Sequence, residues 1–252
     1  MLQVIRPLSV LYEDPYCLAV IKPAGQFTQG TWAPPGEETL EQAVRRHLAP
    51  ADPPNAYVGI VHRLDRPVSG ILLWAKNQKS ARRLSKQFEA RQVVKEYWAI
   101  VEVSGPTALG ASRGTSASDD LETWEDWLTA AGPDGRVRIV EPNSPKARLA
   151  RTVVRRHQPP TQTSGLAWLQ LWPATGRTHQ LRIQAASRGL PIVGDLLYGS
   201  TRKFSSGIAL HARGLKIRHP ADHSELNLLA PPPDAWRSLD AAFDIDIPSG
   251  VE

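Results

Sequence analysis

The sequence predicts an α+β fold, in which strands come in runs and helices are few. Short apolar runs bounded by turn residues recur along the chain, whereas only two segments show helical spacing of apolar residues. A series of βαβ units would need a helical pattern after almost every strand, and the sequence lacks that alternation. With 252 residues, 41% of them hydrophobic, the chain can form one large domain or two small ones.

Four apolar runs predict strands, and each is bounded on at least one side by Gly, Pro or Ser. They span residues 18–22, 71–76, 97–103 and 166–173. The first ends at Pro23-Ala24-Gly25, which favours a turn. The last, LAWLQLWP, alternates in side-chain character, which indicates a strand with one face buried.

The segment from Asn77 to Gln92 predicts a helix with a basic outer face. Ala81, Leu84 and Phe88 recur at helical spacing, and Asn77 is placed to cap the first turn. The remaining positions are rich in Lys and Arg, so the exposed side of this helix carries positive charge.

A second helix is predicted to begin near Thr178 and to run to Arg188. Gly189 is well placed to end it in a left-handed conformation. Its spacing puts His179 and Arg182 on one face.

Positive charge is unevenly distributed along the chain. Residues 136–218 contain 15 Lys or Arg against two acids, and residues 58–100 contain nine against three. Acids outnumber bases by seven to one both in residues 102–134 and after His219. If the two basic stretches meet in the fold, they form a face suited to phosphate. The alternative is a solvated surface balanced by acids elsewhere.

Composition excludes several classes of protein. The single cysteine, Cys17, rules out an intramolecular disulfide framework and a cysteine-rich zinc site. No apolar run is long enough for a signal peptide or a transmembrane helix, so we expect a cytoplasmic protein without membrane contact. His211 and His219 lack metal-ligand spacing, and we expect no metal.

Residues 1–232 are predicted to form the main domain. Within it, residues 104–147 are rich in Gly, Ser, Pro and acids, which indicates an insertion between core strands. Residues 233–252 are interpreted as an acidic C-terminal tail.

Four stretches carry candidate chemistry, and each is ambiguous alone. They are KPAGQF at 22, HRLDRPVSG at 62, ATGRTHQLRIQAASRGLPIVGDLLYG at 174 and LHARGLKIRHP at 210. An aspartate between arginines, such as Asp65, is usually a surface ion pair. GDLLYG lacks the glycine spacing of a phosphate loop and favours a turn followed by an aromatic contact.

Taken together and in this order, the four stretches resemble the motifs of the RluA family of RNA pseudouridine synthases. The resemblance runs from Leu11 to Pro220, with one departure at Val68, where the family more commonly has Thr. It implies a mixed, mainly antiparallel sheet with flanking helices and an active-site cleft. It also implies a reaction that detaches uracil from ribose at N1 and rejoins it through C5, which is redox-neutral and needs no cofactor.

The resemblance implies three catalytic residues. Asp65 is the nucleophile, and a carboxylate is already ionised at neutral pH, so it needs no activating base. Burial would raise the pKa of that carboxyl unless a cation lies close. By similarity this cation is Arg182, whose planar guanidinium group is expected to hold the Asp65 carboxylate in a fixed orientation. Tyr97 matches the tyrosine that stacks on the target base; without the resemblance it would be interpreted as a core aromatic residue.

The resemblance also implies contacts to RNA. The target nucleotide must leave the base stack, and by analogy Arg63 fills the gap that it leaves. His62, Lys22, Arg177 and His179 are candidates to contact phosphates or the flipped nucleotide. Surface roles are the alternative for Lys22, Arg177 and His179.

The function predicted is isomerisation of a uridine in structured RNA, either tRNA or rRNA, by a monomer. We expect a stand-alone catalytic domain without a preceding S4-type RNA-binding domain. A catalytically silent RNA-binding module on the same scaffold is the alternative. A sugar-cleaving enzyme is disfavoured because the second carboxylate that such an enzyme uses is not evident.

Overall fold

The computed structural model describes residues 7–30, 33–103, 121–157, 165–205 and 207–240. The chain divides into two compact units. The first comprises Met1–Lys95 and Ala212–Ala230, and the second comprises Glu96–His211 and Pro231–Glu252. Each unit is built around antiparallel strand pairs, which confirms the predicted α+β class.

Eleven strands occur in the described residues. They are β1 (Val10–Glu13), β2 (Cys17–Lys22), β3 (Gly59–Ile60), β4 (Ser69–Ala75), β5 (Val94–Glu102), β6 (Leu121–Leu128), β7 (Ile139–Val140), β8 (Arg148–His157), β9 (Leu166–Pro173), β10 (Leu210–Arg218) and β11 (Glu225–Leu229). In the same ranges four α-helices occur, none of them long and apolar enough to cross a membrane. They are α1 (Leu40–Leu48), α2 (Gln78–Glu89), α3 (Gln180–Ala186) and α4 (Arg237–Asp240).

In the first unit the strand order is β1-β2-β4-β10, with β3 also beside β4 and β11 also beside β10. Every residue of β4 is buried, which explains why its sequence is apolar without alternation. Cys17, Ile71, Leu84 and Leu215 belong to one core cluster, so α2 packs on this sheet through its apolar face.

In the second unit the strand order is β5-β9-β8-β6-β7. The long pairing of β6 with β8 runs from Leu121 opposite Arg155 to Leu128 opposite Arg148. The segment 104–147, predicted to be an insertion, thus supplies β6 and β7 to this sheet. Residues 104–120 of that segment lie outside the described residues.

All four predicted strands are confirmed, with their ends shifted by up to three residues, as β2, β4, β5 and β9. The first predicted helix is confirmed as α2, with the Asn77 side chain accepting from the Ser80 N–H at 2.8 Å. The second, α3, is shorter than predicted because His179 adopts a left-handed φ of 53° and the helix begins after it. Gly189, with φ 71°, lies just beyond its end as expected.

Several elements were not predicted. Helix α1 has a capping box, in which Thr39 and Gln42 exchange side-chain-to-backbone hydrogen bonds at 2.8 and 3.2 Å. In the segment predicted to be an acidic tail, Trp236 is only 3% exposed and packs edge-on against the buried His211. Residues 241–252 of that segment lie outside the described residues.

Gly70 allows β4 to lie close to the backbone of Ala212. Its φ is 120°, and a Cβ atom there would lie 2.5 Å from the nitrogen and 2.7 Å from the Cα of Ala212. Both the positive φ and the close approach to Ala212 exclude a side chain at this position. The motif HRLDRPVSG therefore ends in glycine for a steric reason.

Gly70→Ala should therefore reduce the free energy of unfolding by about 3 kcal/mol, combining overpacking with backbone strain. Gly36→Ala is the matched control, because Gly36 has φ 90° but no atom within 4 Å of the added Cβ. It should cost only about 1 kcal/mol. Urea unfolding of both variants measures the difference; equal losses would show that the approach to Ala212 is not the constraint.

Candidate active site

Two loops of the first unit are tied together by a buried lysine. Lys22 ends β2, and its side chain is fully buried. Its Nζ donates to the carbonyl oxygens of Pro23 at 2.9 Å, Gln26 at 2.8 Å and Arg66 at 3.0 Å. An ammonium group has three protons, so this arrangement gives each one an acceptor.

Further hydrogen bonds join the same two loops. The N–H of Gly25 donates to the Arg66 carbonyl at 2.8 Å, and the Arg66 Nε donates back to the Gly25 carbonyl at 3.0 Å. The Thr28 hydroxyl donates to the Leu64 carbonyl at 2.8 Å. The two motifs KPAGQF and HRLDRPVSG, distant in sequence, are therefore joined by hydrogen bonds in the fold.

Asp65 lies between the two residues whose carbonyls receive these bonds. Its own carbonyl accepts from the Val68 N–H at 3.1 Å, which closes a tight turn. Leu64 and Val68 are 8% and 3% exposed, so apolar anchors flank the half-buried Asp65 on both sides. Val68, where the motif departs from the family pattern, contributes its backbone N–H to the turn and an apolar side chain to the core.

The charge of Asp65 acts on Lys22. The pKa of Lys22 is lowered to about 7, mainly by burial and to a lesser degree by the charge of Arg66, while the charge of Asp65 acts in the opposite direction and raises it. The prediction that Lys22 contacts a phosphate finds no support in a fully buried side chain. Instead, Lys22 fixes the loop between β3 and β4, residues 61–68, which we call the Asp65 loop.

His62 also has a structural position. Its Nε2 accepts from the Leu73 N–H at 2.9 Å, and its ring stacks on Phe88 of α2 at 4.8 Å between centroids. Burial, and then the charge of Lys95, lower the pKa of His62 to about 3, so the ring is neutral at physiological pH. By contrast, Arg63 is exposed, and no described residue makes a hydrogen bond or ion pair with its side chain.

In the second unit, Arg182 is held by a carboxylate that the sequence did not reveal as its partner. Its Nε and Nη2 donate to the two oxygens of Asp195 at 2.6 and 2.8 Å. Both side chains are buried, with exposures of 6% and 2%. Such a bidentate pair fixes the plane of the guanidinium group.

The ring of Tyr198 packs against this arginine in a cation–π contact. The Arg182 guanidinium lies 5.1 Å from its ring centroid. Its hydroxyl accepts from the Val137 N–H at 2.9 Å and hydrogen-bonds His179 Nδ1 at 2.9 Å. His179 and Arg182 thus approach the same ring, although His179 lies before the helix and not on the predicted common helical face. GDLLYG supplies both the turn and the aromatic contact expected of it.

A buried polar network holds α3 against the sheet. Gln184 Oε1 accepts from the Thr152 hydroxyl at 2.7 Å, and its Nε2 donates to Asp126 at 2.8 Å. At the start of the helix, Gln180 Oε1 accepts from the Arg177 N–H at 3.0 Å, and the Arg177 Nε donates to the Leu149 carbonyl at 3.1 Å.

Tyr97 lies on the sheet face that α3 covers. It pairs with Leu171, which in turn pairs with Val154. Val154 points to the same side as Thr152, two residues away, whose hydroxyl contacts α3. The half-buried Tyr97 and the guanidinium of Arg182 therefore belong to one side of this sheet.

Among the described residues, one group has the composition of a metal site: Asp14, Cys17 and His219, whose candidate ligand atoms lie within 4.8 Å of one another. Asp14 Oδ2 and His219 Nε2 are only 2.6 Å apart, which is a hydrogen bond and is shorter than the roughly 3.3 Å between two ligands of a tetrahedral zinc ion. Burial raises the pKa of the Cys17 thiol to about 12, which disfavours a thiolate. The group fits a structural hydrogen-bonded cluster better than a metal centre.

The sequence matches the family model for RNA pseudouridylate synthases over residues 16–187. The chain belongs to this family, and it is an RNA pseudouridine synthase. The relatives below assign it, more narrowly, to the RluA family, as the motifs indicated.

Similar proteins align along almost the whole chain. The tRNA pseudouridine synthase C of Yersinia pestis is 32% identical, covering 94% of this chain and 91% of its own length. The dual-specificity RNA pseudouridine synthase RluA of Vibrio vulnificus is 30% identical over 94% of this chain and 89% of its own. The ribosomal large subunit pseudouridine synthase D of Xanthomonas campestris pv. campestris is 31% identical over 98% and 72%, respectively.

A solved structure shows the same fold. Human RNA pseudouridylate synthase domain containing 4 superposes with a TM-score of 0.67, at 24% identity and 92% coverage of both chains. At that identity the likeness concerns the fold alone.

The neutral His62 predicts a pH dependence of stability. Its pKa is about 3 in the folded protein but near 6.5 when unfolded, so between these values the unfolded state binds the extra proton. Stability is therefore lost as pH falls below 6.5, and the loss is complete near pH 3. From pH 7 to pH 5 this group should cost about 2 kcal/mol.

His62→Gln, whose amide oxygen can still accept from Leu73, removes that proton-binding group. Between pH 7 and pH 5 the free energy of unfolding of the wild type should fall by about 2 kcal/mol more than that of the variant. Urea unfolding at both pH values measures it. A pH-independent difference would mean that His62 is not held neutral.

Proposed function

We propose that this enzyme converts a uridine in a structured tRNA or rRNA to pseudouridine, with the Asp65 carboxylate as nucleophile. The bond between ribose C1′ and N1 breaks, and a bond between C1′ and C5 forms. C5 loses a proton and N1 gains one, so the atoms balance without an oxidant, a reductant or a second substrate. The carboxylate adds either to the sugar or to the uracil ring and leaves when the product is released.

The observation that carries the proposal is the way in which the Asp65 loop is held. The carbonyls on either side of Asp65, those of Leu64 and Arg66, are engaged by Thr28, Lys22 and Gly25. The backbone therefore cannot rotate freely, which fixes the direction in which the side chain of Asp65 leaves the loop. A nucleophile gains from such preorganisation because less entropy is lost on reaching the reactive geometry.

Two side chains of the second unit complete the proposal. Arg182 supplies the fixed positive charge that favours an ionised nucleophile, as the family resemblance implies, and Asp195 sets the orientation of its guanidinium. Tyr97 stacks on the target base. Arg63, exposed beside Asp65 in sequence, contacts the RNA from which the nucleotide has been flipped.

The named relatives include enzymes of tRNA and of large-subunit rRNA. We therefore assign this chain structured RNA of either kind as substrate. Action as a monomer in the cytoplasm stays a prediction.

Asp65→Asn should abolish turnover while RNA binding survives, because the amide keeps the size of the side chain but is not a nucleophile. Tritium release from transcribed tRNA and rRNA fragments labelled at uridine C5 measures turnover. Glu37→Gln is the control, since Glu37 pairs with Arg66 at 3.6 Å and its loss removes a nearby charge without touching Asp65. Appreciable turnover by Asp65→Asn would exclude the proposed role; RNA binding without turnover by the wild type would favour the silent RNA-binding module.

Arg182→Lys keeps the positive charge but loses the planar group that grips Asp195 with two bonds. We expect turnover to fall roughly a hundredfold through misplacement of the charge. Arg188→Lys is matched, because Arg188 pairs with Asp126 at 3.0 Å and has no proposed catalytic role. Turnover and Tm should be measured for both; near-wild-type turnover in Arg182→Lys would contradict its assignment.

A further inference from the structure

Helix α2 presents three cations on one exposed face. Lys79, Arg82 and Lys86 are exposed, and their spacing of three and four residues places them within one side of the helix. We call these three residues the α2 basic face. They span about 10 Å along the helix axis.

These cations have no partners within the described part of the chain, where none of the three makes an ion pair or a side-chain hydrogen bond. Arg83, beside them on the helix, is different, because its guanidinium donates to the Pro220 carbonyl at 2.6 Å. The α2 basic face therefore holds positive charge that the fold itself leaves unused.

Helix α1 in the same unit shows the usual arrangement of charge. Its Arg45 pairs with Glu41 at 2.9 Å, one turn away, and Arg46 pairs with Glu38 at 3.0 Å. Acid lies in its first turn and base in its last, which complements the helix dipole.

Helix α2 departs from that arrangement. Its first turn contains Lys79 and no acid. Arg82 and Lys86 are like charges four residues apart, a spacing that destabilises a helix. The apolar face, with Leu84 and Phe88 in the core, has to offset this repulsion. The helix dipole favours only Lys86, which lies in the last turn, so stability of the fold does not account for the charges of Lys79 and Arg82.

The α2 basic face lies on the opposite side of the helix from Phe88, which packs against His62 of the Asp65 loop. A ligand on this face is consequently about one helix diameter, roughly 10 Å, from that loop. Contacts here would strengthen binding of a large polyanion without touching the reacting base.

We propose that the α2 basic face binds the phosphate backbone of the substrate RNA, at a part of the RNA away from the reacting nucleotide. This rests on the proposed function, which gives the chain an RNA substrate. Evenly spaced cations on a rigid element suit the regular phosphates of an RNA strand, which are recognised by charge and not by sequence. The α2 basic face determines affinity, and Asp65 determines the chemistry.

The test is the triple variant Lys79→Gln/Arg82→Gln/Lys86→Gln. The control is Lys216→Gln/Arg138→Gln/Arg237→Gln, which removes the same charge from three cations that each pair with a carboxylate, Glu225, Asp134 and Asp234. The probe is a fluorescein-labelled, transcribed tRNA, with anisotropy measured over a series of KCl concentrations. Turnover is measured by tritium release on the same RNA.

The α2 variant should bind roughly tenfold more weakly near physiological salt, and the slope of log Kd against log salt should be smaller by about two. KM should rise by the same factor with little change in kcat, and Tm should not fall, because like-charge repulsion is removed. If the α2 variant and the control variant show the same Kd and the same salt slope, the inference is overturned. Turnover by both variants in that case leaves the proposed function intact. A wild type that neither binds nor modifies any RNA would overturn the proposed function and this inference with it.

Discussion

The ammonium group of Lys22 is the constraint on which the Asp65 loop depends. It is fully buried and donates to three backbone carbonyls in two loops, one of them that of Arg66, 44 residues further along the chain. A buried ammonium group is stable only when each of its protons has an acceptor. The two loops must therefore remain together for Lys22, the last residue of β2, to stay buried. The hydrogen bonds from Thr28 and Gly25 then act on a loop already in place.

In the second unit, a side chain is held in place by a carboxylate and an aromatic ring. Arg182 is fixed by both oxygens of Asp195 and by the ring of Tyr198. Breaking a buried ion pair by removing one partner usually costs several kcal/mol, because the remaining charge is left without compensation. The first unit thus holds the backbone that carries Asp65, through hydrogen bonds to carbonyls, whereas the second holds the guanidinium of Arg182 itself, through a carboxylate.

Much of this could be predicted from the sequence, where the signals are local. The apolar β4 and the Asn77 cap of α2 follow from periodicity and capping, and the motifs identified the family. The pairing of Arg182 with Asp195 could not be predicted, since nothing in the spacing of two charged residues says that they will meet in the core. The resemblance made Lys22 a candidate to contact phosphates or the flipped nucleotide; only the fold reveals the three carbonyls that surround it. Strand β8 was missed because its many arginines mask the alternation of buried and exposed positions.

The central claim, that Asp65 makes this chain an enzyme acting on uridine in RNA, is tested most directly in the cell. Pseudouridines are mapped in total tRNA and rRNA from cells carrying the wild-type gene, no gene, or the Asp65→Asn gene expressed to the same level. The account predicts at least one pseudouridine that is present with the wild-type gene and absent in both other strains. Identical maps in all three strains, or a site maintained by the Asp65→Asn protein, would contradict it.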